Sequence, residues 1–74
     1  MGTYVESEYG MILFIKEDHT TILTTKDRSY SDNKVWFTNK DGSITISGKH
    51  ATSKFFKTDK NKYKMNDGIY KKLK

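Results

Sequence analysis

The sequence contains no cysteine and no proline, and only five of its 74 residues are glycine. Without cysteine the chain forms no disulfide and offers no thiolate ligand to zinc. The longest apolar run, residues 11–15, is far shorter than the roughly 20 residues of a membrane helix. The first residues also lack the basic and apolar stretches of a targeting segment. We therefore predict a cytoplasmic protein with no membrane contact.

The length limits the chain to one small domain with a thin core, since a chain of about 60 residues buries only about 60% of its unfolded surface. Hydrophobic residues make up 34% of the sequence, but aromatic residues reach 14%, and each ring buries roughly 150–250 Å². We predict a polar N-terminal segment over residues 1–10, as an edge strand or a loose segment. Residues 11–74 are predicted to form a single β domain with a Lys-rich C-terminal half.

Alternating apolar and polar residues, separated by turn residues, indicate short strands. The clearest signal is the hairpin over residues 35–47, where Asp41-Gly42 supplies the positive φ of a tight turn. The apolar run over residues 11–15 is typical of a strand buried on both faces, and the Thr-rich segment over residues 20–25 of its return strand.

The C-terminal third is ambiguous. Residues 53–65 fit two strands or one helix with Phe56 and Tyr63 on the same face, and the scarcity of apolar positions favours strands. Ile69 and Leu73 fit a short helical turn, whereas Ile69 and Tyr70 equally fit a strand that closes the sheet. The predicted fold is mainly β: an antiparallel sheet, or an SH3-like or OB-like barrel, of five to six short strands, with a short C-terminal helical turn as an option.

Charge is distributed unevenly along the chain. Residues 1–37 carry four basic and six acidic residues, a net charge of −2, whereas residues 38–74 carry ten lysines and three aspartates, a net charge of +7. A basic half on a small domain is typical of a protein with a polyanionic partner. Only one of the 14 basic residues is arginine, so charge that merely keeps the protein soluble is the competing interpretation.

Catalytic and metal-binding patterns are missing, and we predict a non-catalytic protein without cofactor or metal. The two histidines, His19 and His50, lie in predicted turns and are expected to be solvent-exposed. Asn39-x-Asp41-Gly42 resembles part of a calcium-binding loop, but Phe37 and Gly48 stand where its charged end positions are required. The sequence has neither a nucleophile elbow nor a glycine-rich phosphate loop.

The remaining candidate is a basic, aromatic surface that binds nucleic acid, with single-stranded nucleic acid as one option. In such proteins lysines follow the phosphates while exposed rings stack on bases, at about 1–3 kcal/mol per base. The predicted binding residues are Trp36, Lys49, Lys54, Phe56, Lys57, Lys60, Lys62, Tyr63 and Lys64. The competing interpretation for Trp36 and Tyr63 is that a thin core recruits every large ring.

The alternative function is a small regulator or inhibitor that docks on a larger host protein. Small proteins rich in Lys and Asn are common among accessory factors of phages and mobile elements, and the initial Met fits a free-standing protein of this kind. Docking would use an edge strand or an aromatic patch against an acidic surface. The two oppositely charged halves are also compatible with a homodimer.

Overall fold

The computed structural model describes residues 2–49, 51–66 and 68–73, and these form an all-β protein. Eight strands follow one another as a meander, each antiparallel to the next. The last strand pairs with the first, so the sheet closes into a barrel. The strands are β1 (Gly2–Glu6), β2 (Ile12–Ile15), β3 (Thr20–Thr24), β4 (Ser31–Thr38), β5 (Ile44–Ser47), β6 (Thr52–Asp59), β7 (Lys62–Met65) and β8 (Gly68–Lys72).

A small antiparallel β barrel is confirmed, but the predicted number of five to six strands is wrong. The sequence left β1 and β8 open between a strand and another conformation, and these two strands pair with each other and close the barrel. Of the two options for the C-terminal residues, the helical turn is wrong and the closing strand at Ile69 and Tyr70 is confirmed, because residues 68–72 pair with both β7 and β1. An OB-like barrel has five strands, so the eight-stranded meander is not an OB-like barrel.

Two other predictions from the sequence are confirmed, and one about the N-terminal segment is wrong. The hairpin over residues 35–47 forms as predicted, with Val35 opposite Ser47. Residues 53–65 are strands rather than a helix and belong to β6 and β7. Residues 2–6 are neither loose nor at an edge, since β1 pairs with β2 on one side and β8 on the other.

The interior of the barrel is filled by side chains, as expected for eight strands. The buried apolar residues are Tyr4, Leu13, Ile15, Ile46, Phe55, Met65 and Tyr70. The Phe55 ring is central to them, with centroids 5.0 Å from Tyr4, 5.3 Å from Tyr63 and 5.8 Å from Tyr70. Contacts between aromatic rings thus hold β1, β6, β7 and β8 together, and this compensates for the small number of aliphatic residues.

Three of the turns share one local sequence, Asp-x-Ser/Thr. In each, the aspartate Oδ1 accepts the backbone N–H of the residue two positions later, at 3.1 Å for Asp18, 3.0 Å for Asp27 and 3.0 Å for Asp41. The residue between has a positive φ: 67° at His19, 63° at Arg28 and 89° at Gly42. The side chain therefore fixes the reversal of the chain in each turn.

Because the strands alternate in direction, the connections fall at two ends of the barrel. We call the end with the β2–β3, β4–β5 and β6–β7 connections the upper end, and the opposite end the lower end. Side chains also alternate along each strand between the interior and the outer surface. These two facts decide which of the predicted binding residues lie near one another.

Candidate nucleic-acid interface

A cavity of about 260 Å³ opens at the upper end of the barrel. We call it the aromatic mouth. Its lining residues are Tyr4, Ile15, Trp36, Gly42, Ile44, Phe55, Phe56, Lys57 and Tyr63. Five of these nine are aromatic, and a single lysine is the only charged side chain among them. Such a lining suits a flat, apolar group that carries negative charge beside it.

Trp36 lies on one wall of the aromatic mouth and is held by polar contacts. Its indole N–H donates to the Lys16 carbonyl oxygen at 2.7 Å. The His19 ring stacks on it with centroids 4.6 Å apart and the ring planes 23° apart, and His19 Nδ1 lies 3.0 Å from the Trp36 carbonyl oxygen. The β2–β3 turn thus covers one face of the indole and fixes its orientation.

Two tyrosines stand opposite Trp36 in the aromatic mouth. Tyr4 and Tyr63 meet edge to face, with centroids 4.9 Å apart. Burial raises the pKa of the Tyr4 hydroxyl above its ordinary value, and the nearby Tyr63 raises it further. The Tyr4 hydroxyl therefore stays neutral at physiological pH and is available as a hydrogen-bond donor or acceptor.

Phe56 joins the aromatic mouth to the outer surface. Its side chain is 36% exposed, whereas that of its neighbour Phe55 is 4% exposed in the core. Phe56 lies opposite Lys64 on β7, and Lys64 lies opposite Ile69 on β8. The Lys54 ammonium stands 5.9 Å from the centre of the Phe56 ring, within the range of a cation–π contact.

The outer surface of β6 and β7 is basic. Alternation places Lys54 and Phe56 of β6 together with Lys62 and Lys64 of β7 on this surface, and all four are exposed. We call these four residues the basic face. Lys54 is fixed at its edge by Asp41, whose Oδ2 lies 3.0 Å from the ammonium. The other two lysines have no carboxylate within ion-pairing distance among the described residues.

The Asp41 carboxylate accepts several hydrogen bonds in the β4–β5 turn that it stabilises. Its Oδ1 accepts the Ser43 hydroxyl at 2.5 Å in addition to the backbone N–H. These hydrogen bonds, together with that from Lys54, hold the pKa of the Asp41 carboxyl well below its usual value. The carboxylate is therefore charged at all physiological pH values, and it keeps the β4–β5 turn beside the basic face.

The structure gathers most, but not all, of the predicted binding residues at the upper end. Four of them line the aromatic mouth: Trp36, Phe56, Lys57 and Tyr63. Lys54, Lys62 and Lys64 lie on the basic face, and Lys60 lies in the turn between β6 and β7. Lys49 is the exception, because it follows β5 and belongs to the lower end. Trp36 and Tyr63 are half-buried in the mouth, so they do not share an outward platform with the lysines.

One ring that sequence reasoning did not select is Phe37. It lies on the outer surface of β4, is 49% exposed, and stands opposite Thr45 on β5, which in turn stands opposite Lys54 on β6. The alternation of Val35, Trp36 and Phe37 correctly separates the tryptophan from its neighbours but does not say which side faces water. No local sequence signal decides this, because the Trp36 indole N–H donates to the carbonyl oxygen of Lys16, 20 residues earlier in the chain.

Metal-binding clusters are absent from the described residues, where no three His, Asp or Glu side chains converge. Within the same residues we find no helix with the length and apolarity needed to span a bilayer. Comparison of the chain with protein-family models, with curated proteins and with solved structures finds no match. The functional argument therefore rests on the geometry of the surface itself.

Proposed function

We propose that the protein binds single-stranded nucleic acid at the upper end of the barrel. The observation that carries this proposal is the position of Phe56, which belongs both to the aromatic mouth and to the basic face. A base stacked at Phe56 would leave its backbone phosphate beside the ammonium groups of Lys54 and Lys64. This is the combination of ring and cation that single-strand binding uses.

The composition of the surface favours a single strand over a duplex. Stacking on Phe56 or entry into the aromatic mouth requires a base that is free of its partner strand. Lysine acts as a mobile point charge, whereas arginine reads base edges with a rigid fork, and the only arginine, Arg28, lies in the β3–β4 connection at the lower end. The proposed binding is therefore largely independent of base sequence.

A protein partner with an acidic surface is the second candidate. It is favoured by Val35 and Phe37, which are half-exposed side by side on the outer surface of β4 and form a small apolar patch. Docking by an edge strand loses its basis, because the eight described strands form a closed barrel. An apolar protein contact would persist at salt concentrations that abolish a contact with phosphates.

The test is the fluorescence anisotropy of a labelled 15-nucleotide oligodeoxythymidylate titrated with the protein. The variant pair is Lys62→Gln/Lys64→Gln on the basic face. Lys26→Gln/Arg28→Gln is the matched control, with the same change in net charge in the β3–β4 connection. We expect the first pair to weaken binding at least tenfold and the control to leave it nearly unchanged.

Two results would overturn the proposal. One is equal weakening by both variant pairs, since that would reflect net charge rather than a site. The other is equal affinity for the oligonucleotide and for a duplex of the same length, since a duplex offers no unstacked base to Phe56 or the aromatic mouth.

A further inference from the structure

A second concave surface lies away from the aromatic mouth. This groove, of about 560 Å³, runs along β3 and β4 to the connection that follows β5. Three lysines line it, Lys16, Lys34 and Lys49, and its described lining includes no acidic side chain. The groove therefore collects Lys49, the one predicted binding residue that does not belong to the upper end.

The groove exists because two strands separate. The ladder between β4 and β5 ends where Val35 lies opposite Ser47, so residues 31–34 of β4 pair only with β3. Successive residues of a strand direct their backbone groups to opposite sides. Trp36 donates its backbone N–H toward β3, to the His19 carbonyl oxygen, so the backbone of Asn33 points the other way, into the groove.

The Lys34 side chain packs against Gly48. An added Cβ at Gly48 would lie 2.8 Å from Lys34 Cε and 3.0 Å from Cδ, so the Lys34 stem would have to move. The Lys34 ammonium is 3.4 Å from Asp32 Oδ2, and its side chain is only 22% exposed. Gly48 thus leaves the space that the Lys34 stem occupies, and this lysine is less screened by solvent than the lysines of the basic face.

Donors of several kinds meet in this groove. Thr20 and Ser47, which carry hydroxyl groups, line it together with the three lysines. Cations and neutral donors arranged in this way favour a ligand with several anionic oxygens. Lys16 lies in the β2–β3 turn at the upper end and Lys49 after β5 at the lower end, with Lys34 on β4 between them. One phosphate group is therefore too small to contact all three lysines.

We propose that this groove binds a ligand with at least two linked phosphate groups. Such a ligand is either a segment of nucleic-acid backbone or a free oligophosphate, and the groove recognises the chemistry that they share. The proposal does not depend on base stacking at the upper end. If both proposals are correct, a single nucleic-acid strand contacts the protein at two places: the basic face on β6 and β7, and the groove along β3 and β4.

The test uses tripolyphosphate, which carries linked phosphates but no base, followed by backbone amide NMR. We expect saturable shifts at Asn33, Lys34, Gly48 and Lys49. Lys34→Gln/Lys49→Gln should weaken binding roughly tenfold, while Lys71→Gln on the outer surface of β8 should leave it unchanged. Gly48→Ala should also weaken binding, because it displaces the Lys34 stem without removing a charge.

The two phosphate sources are then separated with the 15-nucleotide oligodeoxythymidylate. If Lys34→Gln/Lys49→Gln weakens binding of both ligands, the groove holds nucleic-acid backbone, and if it weakens only tripolyphosphate binding, the groove serves a free oligophosphate. Non-saturating shifts spread over Lys62, Lys64 and Lys71 would overturn the proposal.

Lys49→Gln alone keeps the test valid even if the double variant is destabilised, since the Lys49 side chain is exposed. If the oligonucleotide does not bind at the upper end, tripolyphosphate can still bind in the groove, so the two proposals are tested separately.

Discussion

At the scale of single residues, neighbours in the sequence have opposite roles. Phe55 and Phe56 lie on the two sides of the barrel wall, one among the rings of the core and the other beside Lys54. The sequence predicts that the two rings face opposite ways, because side chains alternate along a strand. It cannot say which faces inward, since that depends on contacts with Tyr4 and Tyr70 from strands distant in the chain.

The two phenylalanines make a matched pair for a stability measurement. We expect Phe55→Ala to lower the free energy of unfolding by about 3–5 kcal/mol. That is a large part of the roughly 4–11 kcal/mol expected for a domain of this size. Phe56→Ala should cost less than about 1 kcal/mol. Urea denaturation followed by circular dichroism measures both, and equal losses would contradict the assignment of Phe55 to the core.

The Asp41 carboxylate makes the stability of the folded protein depend on pH in the acid range. Its pKa is lowered in the folded state, so the stabilisation by its carboxylate is fully present above the ordinary value of 3.8 and is lost as the pH falls below it. We expect Asp41→Asn to lower the melting temperature at pH 6 and to have progressively less effect below pH 3.8. Thermal melts from pH 2 to 6 measure this. A difference that is independent of pH would contradict it, and Glu17→Gln in the β2–β3 turn is the control.

At the scale of elements, local sequence determines turns better than it determines closure. Asp41-Gly42 predicts its turn because glycine adopts a positive φ without strain. The same Asp-x-Ser/Thr pattern occurs at Asp18 and Asp27, but there the middle residue is not glycine, so the sequence signal for this turn geometry is weaker. The pairing of β1 with β8 joins the two ends of the chain. Such a contact leaves no short-range signal, so the sequence left both segments open between a strand and another conformation and did not predict that they pair.

The run over residues 11–15 shows how a closed barrel modifies a sequence pattern. A continuous apolar strand predicts burial on both faces. In the barrel, Leu13 and Ile15 are buried inside while Ile12 and Phe14 are half-buried on the outer surface. The pattern thus identified a strand correctly but could not distinguish a covered sheet from a barrel wall that faces water.

Gly42 tests whether backbone conformation sets the β4–β5 turn. Its φ is 89°, and an added Cβ would meet no atom within 4 Å, so the cost of Gly42→Ala is conformational rather than steric. We expect a loss of about 1–2 kcal/mol in the free energy of unfolding. Chemical denaturation measures it, and a D-alanine at the same position, introduced by chemical synthesis, should restore stability. A neutral L-alanine variant would show that the turn adopts another conformation.

At the scale of the whole molecule, charge and fold combine to make one side basic. Residues 52–73 carry seven lysines and two aspartates, and the meander places this segment in three adjacent strands, β6, β7 and β8. The lysines that are concentrated in the C-terminal part of the sequence therefore lie on adjacent strands of the barrel. The sequence predicted this surface from the lysine count, but the mouth that gathers Trp36, Phe56 and Tyr63 depends on barrel closure and was not predictable.

Salt dependence should report the number of lysines that contact phosphate. Each neutralised phosphate of a single strand contributes about 0.7 to the slope of log K against log salt concentration. We expect Lys62→Gln/Lys64→Gln to reduce that slope by about 1.4 for the oligodeoxythymidylate. Titrations at four salt concentrations measure the slope, and an unchanged slope would place the phosphates elsewhere.

The most direct measurement is the fluorescence of Trp36, the only tryptophan, because it lies in the aromatic mouth with Phe56. The protein is titrated with oligodeoxythymidylate at low and at physiological salt, beside the Phe56→Ala variant. Binding at the upper end predicts a saturable change in emission that weakens steeply with salt and is greatly reduced in the variant. Unchanged emission at every oligonucleotide concentration, or an equal response from the variant, would contradict binding at the upper end.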